Sequence, residues 1–299
     1  MTDSYSSTTP ILFIDKLSAT RSDTDSQQVQ NNIGLLTDYC NSQGIPYGPT
    51  ERYAIQATIP LQGNYGLQKC TLQLGAWNSG TNPYRIECNP SKLDQASRDE
   101  LDTLLLSITG ETFRDFVLNG KVTRLDVAAD LPDVTVDDVI VRSSHVRKHG
   151  IYSGQTGIPE TIYVGSIGGT AAYDKGKAAK DGIVRLRVER RLRPNCPGIG
   201  LPHIKEPFDK IRVVPTELLV PFVPAPATVF FDSMRVRGFS RVLNMLPHRD
   251  RVRVDGVVRD VNNSLLPPDL WDAWPSCLED SGLLEQARSI ASVSGTTPG

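Results

Sequence analysis

Three short segments hold the side chains of this 299-residue chain best suited to chemistry: RLDVAAD at 124–130, YVGSIGGTAAYDKGK at 163–177 and RLRVERRLR at 185–193. Each reads as a strand or a strand end. Side chains on a strand alternate between its faces with a period of two. In the first segment Leu125, Val127 and Ala129 share one face, and Arg124, Asp126 and Asp130 share the other. In the third, Val184, Leu186 and Val188 point to a core, while Arg185, Arg187, Glu189 and Arg191 point away. In the second, Tyr173 and Lys175 lie together, opposite Asp174. If the three strands are neighbours, Asp126, Tyr173, Lys175 and Glu189 converge on one sheet surface.

That set suits cutting a phosphodiester with a tyrosine nucleophile. A tyrosine hydroxyl, with a pKa of about 10, attacks poorly at neutral pH until it is deprotonated or polarised. Two carboxylates can hold Mg²⁺ or Mn²⁺, which take oxygen ligands and share them with substrate phosphates. Such an ion polarises the scissile phosphate and stabilises the leaving 3′-oxygen. Lys175 would lower the tyrosine pKa or neutralise the transition state. Arg185 and Arg187 would grip flanking phosphates. Glu87, on the face of YRIEC that also carries Arg85, is a candidate further acid, as is Asp130. The competing reading is a solvated face on which Arg and Glu alternate as weak cross-strand ion pairs.

The positioning elements follow from periodicity and turn signals. ILFIDKLSAT reads as a first strand, and residues 27–43 have helical spacing up to Gly44. Short strands fill 52–89, and one long amphipathic helix is expected over 95–118. VTRLDVAAD opens a second half, with VTVDDVIVRSSHVRK as a helix and ETIYVGS, TAAYDK and IVRLRVERRL as strands. The expectation is an α+β fold with antiparallel sheets backed by helices, two structurally echoing halves, and a smaller, mostly helical C-terminal part. Proline and glycine over 194–227 mark a boundary, which divides the chain into a core at 11–220 and an accessory region at 228–292. Residues 1–10 and 293–299 read as disordered tails. Trp271 and Trp274 read as core residues, since they recur with Leu270 and Leu278 at helix-like intervals.

Composition is that of a soluble globular protein, 39% apolar and 22% charged. No apolar run is long enough for a membrane span, because prolines interrupt the best candidate at 218–231. With no signal-peptide pattern at the start, a cytoplasmic protein without a membrane partner is expected. Five scattered cysteines suggest reduced thiols. The formal net charge of −2 hides an asymmetry: residues 1–120 carry 8 Lys+Arg against 13 Asp+Glu, residues 121–260 carry 23 against 16, and residues 261–299 carry 1 against 5. The basic surplus thus sits with the three segments, where phosphate contact would need it. His145 and His149 stand four apart in a basic stretch that suits a phosphate-contacting or solvated helix end, and SIGGT and GQTG read as turns.

TRLDVAAD, ETIYVGS, AYDKGK and VRLRVERRLR, in that order, resemble the trans-acting replication initiation factor family of rolling-circle plasmids and filamentous phages. FIDKLSAT and YRIECNPSKL also resemble that family's early sheet, so the likeness covers roughly residues 11–195. The departure from the pattern is Ala171, two before the tyrosine, where members often carry a bulky or basic residue. The resemblance implies a site-specific nickase and ligase that opens a double-stranded origin and stays joined to the 5′ end. It implies Tyr173 as the nucleophile, with Lys175 beside it, and Asp126 and Glu189 as ligands of Mg²⁺ or Mn²⁺. Origin DNA is the implied partner, with a homodimer and a host helicase as further implied associations. Arg124, Arg185, Arg187, Arg191, Arg235 and Arg237 are the candidate DNA contacts. Two alternatives remain open: a non-cutting origin-binding protein of the same fold, and a strand transferase of the mobilisation or transposase kind.

Overall fold

The computed structural model describes residues 9–22, 25–63, 66–143, 149–153, 159–165 and 169–284. The first half runs β1 (Ile11–Arg21), α1 (Ser26–Gln43), β2 (Tyr47–Gly48), β3 (Tyr53–Gly63), β4 (Gly66–Ala76), β5 (Tyr84–Cys88), α2 (Gln95–Thr109) and α3 (Phe113–Leu118). The second runs β6 (Lys121–Pro132), β7 (Val139–Ser143), β8 (His149–Ser153), β9 (Pro159–Val164), β10 (Thr170–Asp174), α4 (Lys175–Ala179), β11 (Arg185–Leu192) and β12 (Cys196–Pro197). Then follow β13 (Ile211–Pro215), α5 (Ala227–Arg237), α6 (Phe239–Leu243), α7 (His248–Arg259) and α8 (Trp274–Asp280).

The fold is α+β, built on one antiparallel sheet of order β2-β3-β4-β5-β1-β6-β11-β10-β9-β8, with β12 extending the pairing of β6. Its halves echo each other in path. β1 pairs with β5, the last strand of the β3-β4-β5 meander. In the same way β6 pairs with β11, the last strand of the β8-β9-β10-β11 meander. The two first strands, β1 and β6, pair with each other and join the halves.

One face of the sheet is apolar and carries helices. Leu125, Val127, Ala129, Leu186, Val188 and Ala172 share a core with Leu36, Leu101, Leu105, Phe116 and Leu278 from four helices. α1 starts where Asp25 accepts from the backbone N–H of Gln27 and Gln28, and it ends at Gly44, whose φ is +64°. The helix expected over 95–118 is two. Gly110, with φ at +75°, ends α2, and the Thr112 hydroxyl caps α3 by accepting from Asp115 N–H. Over the described part of VTVDDVIVRSSHVRK, up to Ser143, the expected helix is also not formed: Val136–Asp138 makes a single 3₁₀ turn and β7 follows, paired with β13. The Val-Ile-Val run is β-branched and buried, which favours a strand over the helix that its acidic start suggested.

A second core forms where α5, α6 and α7 pack over β7 and β13, with Ile140, Val214, Phe230, Met234, Val254 and Val258 at its centre. The chain then returns to the first core through Leu266, Leu270, Trp274, Cys277 and Leu278. Trp274 is fully buried, stacks on Trp271 with centroids 4.6 Å apart, and donates its indole N–H to Leu201 O at 3.0 Å. Among the described residues no helix is long and apolar enough to cross a membrane.

Candidate functional site

The opposite face of the sheet is polar, and the strand register sets which groups meet on it. Asp126 of β6 stands opposite Arg191 of β11, Asp130 opposite Arg187, and Ala128 opposite Glu189. Across the next pairing, Tyr173 of β10 faces Arg187, and Ala171 faces Glu189. Tyr173 and Glu189 are therefore diagonal neighbours on adjacent strands, and the tyrosine hydroxyl donates to Glu189 Oε2 at 3.4 Å. Of the four residues expected to converge, Asp126, Tyr173 and Glu189 meet through the register, and Lys175, just past the end of β10, lies near Arg187 and Asp15.

β1 adds a residue that the alternation argument missed. Its pairing with β6 shifts between Ile14 and Lys16, so Asp15 and Lys16 both oppose Asp126. Such a bulge re-aims a side chain. Here Asp15 accepts from Arg187 Nη1 at 2.6 Å. The Ser91 hydroxyl braces the kink, accepting from Ile14 N–H and donating to Ile14 O. The sequence signal was a break of parity, since the buried positions of β1 run Leu12, Ile14 and then Leu17, Ala19. Arg187 also grips Asp130 with two bonds, at 2.7 and 2.9 Å, and lies over the Phe13 ring at 4.3 Å. Arg187 is 5% exposed and Asp126 1% exposed, so this polar face is substantially desolvated.

Charge is distributed unevenly along it. Asp126 accepts from Arg124 Nη2 at 2.5 Å and from Arg124 Nε, and Arg191 approaches it at 3.5 Å. Glu189 has no such clamp; its charged neighbour is Arg191 at 3.8 Å. Burial pushes the Glu189 carboxyl up, and the charges of Asp15 and Asp126 push it further. Burial likewise raises the Tyr173 hydroxyl well above the ordinary tyrosine value, with Arg187 opposing and Glu189 and Asp15 reinforcing. Arg187 is a cation beside the phenol, and Lys175 lies near Arg187, Asp15 and Asp130. Strand parity stops at Asp174, because Lys175 begins α4. Burial lowers the Lys175 ammonium, as does the nearby Arg187.

The remaining candidates lie at graded distances. Asp130 is occupied by Arg187, with Arg185 at 3.6 Å, and Arg185 also pairs with Asp181. Glu87 sits on β5 in an ion pair with Lys16 at 2.7 Å and another with Arg85. Burial pushes its carboxyl up, but Lys16, Arg85 and Arg124 outweigh this and hold it below the usual value. Arg237 is exposed at the end of α5, within the second core's helices. Arg235 lies on the same helix, with its side chain outside the described residues. His145, all of GQTG and most of SIGGT also lie outside them, and His149 begins strand β8 where a helix end was expected.

The donor chemistry bears on a divalent cation. Among the described residues no group of three or more His, Cys, Asp or Glu side chains forms a ready-made metal cage. Glu189 is pushed up by burial and by the charges of Asp15 and Asp126, against which Arg191 at 3.8 Å and Arg124 only partly act, and a cation would relieve that repulsion. Glu189 and Asp126 are the two carboxylates here that could offer oxygens to Mg²⁺ or Mn²⁺, and Asp126 is already bonded to Arg124.

No family model matches the sequence, and no curated protein matches it. Among solved structures one match is described as a rolling circle replication initiator protein from Geobacillus stearothermophilus. It is 19% identical with a TM-score of 0.35, and the match covers 62% of this chain and 75% of that one. What the site can do is read from its own geometry. It holds a phenol, a carboxylate in contact with it and a buried guanidinium beside the phenol.

Proposed function

We propose that this protein is a rolling-circle replication initiator that nicks and rejoins one DNA strand through Tyr173. The observation that carries the reading is the Tyr173–Glu189 contact at 3.4 Å on a desolvated face that also holds Arg187 and Asp126. The order of the four motifs at 123–130, 161–166, 172–177 and 184–193 supports it as well.

In this reading the Tyr173 oxygen attacks the scissile phosphorus and its proton passes to Glu189. The 3′-oxygen leaves and takes up a proton, and the 5′ phosphate stays on Tyr173 as a phosphodiester. Attack by a free 3′-hydroxyl reverses the step and rejoins the strand. Arg187 faces the phenol from a rigid mount and stabilises the negative charge that develops at phosphorus. Arg191 and Arg124 neutralise the neighbouring carboxylates so that a phosphate can approach. Holding a divalent ion instead, Glu189 and Asp126 would let it supply Lewis-acid polarisation of the phosphate, with the phenol proton passing to water. Origin DNA is the substrate, with Arg185 and Arg237 available as outer phosphate contacts.

A second reading has its own observation. The Tyr173 hydroxyl is pushed well above its ordinary value by burial, which suits a protein of this fold that binds DNA without cutting it. Covalent trapping separates the two. Wild-type protein and Tyr173→Phe are mixed with single-stranded oligonucleotides covering the gene's own neighbourhood, with Mn²⁺ or EDTA, and run on denaturing gels. A shifted band that needs Tyr173 supports nicking. Binding with no adduct across the whole locus leaves the non-cutting reading.

A further inference from the structure

A cavity of about 590 Å³ opens on the polar face of the N-terminal half, at some distance from Tyr173. Arg52, Arg85, Arg124 and Arg193 line it from four different parts of the chain, with Gln56 and Gln73 between them. Two of these arginines are held in place. Arg85 donates to Gln73 at 2.7 Å, to Ser18 at 2.8 Å and to Glu87, and Arg124 is clamped on Asp126. The other two, Arg52 and Arg193, are exposed and have no ion pair among the described residues. Glu51 is the one acid in the lining, so the cavity holds a surplus of positive charge.

Beside it stands Trp77, 59% exposed. Its backbone N–H donates to Arg52 O and its indole N–H to Thr50 O, both at 2.9 Å, and both acceptors belong to residues that line the cavity. The indole is thus tied by its polar edge to the backbone of the Thr50–Arg52 segment, while much of its surface faces solvent. Phosphates want arginine, and an exposed aromatic ring beside them offers a stacking platform for a base. A duplex keeps its base faces covered, so this pairing suits an unpaired strand. The cavity, at about 590 Å³, is also of a size for a small ligand or a nucleotide segment.

The cavity shares Arg124 with the candidate site. Arg124 lines it and binds Asp126; Asp126 meets Arg191, Arg191 meets Glu189, and Glu189 meets Tyr173. β5 and β10 are separated by β1, β6 and β11, four strand spacings or about 19 Å. A strand of a few nucleotides bridges that span. We propose that this arginine-lined cavity with Trp77 beside it is a binding site for unpaired DNA, holding the strand a few nucleotides from the bond at Tyr173. The placement rests on the reading of Tyr173 as the residue that acts on DNA; binding in the cavity does not require cutting.

The test uses full-length Tyr173→Phe protein, which binds without forming an adduct, and fluorescein-labelled oligodeoxynucleotides of about ten nucleotides, within the range of such sites. Affinity is read by anisotropy over a series of salt concentrations and, with unlabelled oligonucleotide, by tryptophan fluorescence. The expected result is quenching that disappears in Trp77→Ala. Arg52→Ala with Arg193→Ala should weaken single-strand binding about 10- to 100-fold and make the salt slope shallower by about 1.4, the value for two lost phosphate contacts on a single strand. Unchanged affinity in these variants, equal weakening for a duplex of the same sequence, or no binding at all would overturn the proposal. All three side chains are exposed, and matching melting temperatures exclude misfolding. The covalent adduct is read separately in Tyr173-containing protein. Its absence with cavity binding intact removes the nicking reading alone, and its presence with unaltered variant binding removes the cavity alone.

Discussion

The Tyr173 hydroxyl and the Glu189 carboxylate oxygen stand 3.4 Å apart on adjacent antiparallel strands, diagonal to one another in the register. The carboxylate in this pair bears the strain. Asp126 and Asp130 are both clamped by arginines, whereas Glu189 is buried near Asp15 and Asp126 with Arg191 only at 3.8 Å. A group so placed is suited to taking a proton from its neighbour, and that role has consequences for both stability and rate.

The folded-state pKa of Glu189 is raised, so over a window beginning at the ordinary carboxylate range the folded protein keeps a proton that the unfolded chain has released. Stability contributed by this group falls as pH rises through that window, and above it the penalty persists. Glu189→Gln carries no charge and should melt at a higher temperature than wild type at pH 7.5, with a flatter pH dependence in the window. The same variant should form the Tyr173 adduct about 10²- to 10⁴-fold more slowly, the usual worth of a general base. Its rate should also lose the acidic limb, which in wild type sits above the ordinary glutamate value. Calorimetric melting and single-turnover adduct formation against pH check both parts; a destabilised variant with an unchanged rate profile would refute the assignment.

Arg187 should be the most costly polar residue of the face to remove. It is 5% exposed and bonded to Asp130 and Asp15 while lying over Phe13. Arg187→Met takes the main counter-charge from two carboxylates in a desolvated place, leaving Asp130 with Arg185 at 3.6 Å and Asp15 with Asn89 at 3.5 Å, and should destabilise by about 3–5 kcal/mol. Adding Asp130→Asn to Arg187→Met removes one of the stranded charges and should recover part of the loss. Chemical denaturation of the four proteins of this cycle measures it, and strictly additive effects would mean that the pair does not interact.

Two glycines give opposite expectations for the same substitution. A Cβ on Gly176, next to Lys175, would lie 1.6 Å from Ile183 O, a contact that only backbone movement relieves. Gly176→Ala should therefore cost about 1–3 kcal/mol, as overpacking does, and slow adduct formation by shifting the end of β10. Gly34, inside α1, has nothing within 4 Å of its Cβ position, so Gly34→Ala should stabilise by about 0.5–1 kcal/mol. Melting curves of the two variants settle the contrast.

Much of this face was legible because strand parity is a local property. The assignments of Asp126, Tyr173 and Glu189 to one surface followed from alternation alone, and the register places them there. Parity failed where the backbone departs from a regular strand. The bulge at Asp15 and Lys16 turns the first of them onto the polar face. Arg187 finds Asp15 across 172 residues of sequence, a pairing that no window of the chain encodes. The same holds for the second core: β7 needs β13, some 70 residues later, before its Val-Ile-Val run is better as a strand than as a helix. The split of the helix at 95–118, by contrast, was written in Gly110.

The unclamped state of Glu189 also sets an expectation for metal ions. If Mn²⁺ binds the folded protein through Glu189 and Asp126, it should raise the melting temperature, because a ligand of the native state stabilises by about 2.7 kcal/mol at 100 times its Kd. The rise should be lost in Glu189→Gln, where the oxygen that repels Asp15 and Asp126 no longer carries charge. It should persist in Glu87→Gln, since Glu87 is satisfied by Lys16 and Arg85 on β5. In wild type the effect should fade as pH drops through the raised Glu189 value, since protonation competes with the ion for the same oxygens. EDTA should reverse it without unfolding the protein, because Asp126 keeps its Arg124 clamp and the sheet does not depend on the ion. Differential scanning calorimetry with and without Mn²⁺ at two pH values reads all of this. An identical shift in wild type and Glu189→Gln would place the ion elsewhere and leave Glu189 as a proton acceptor only.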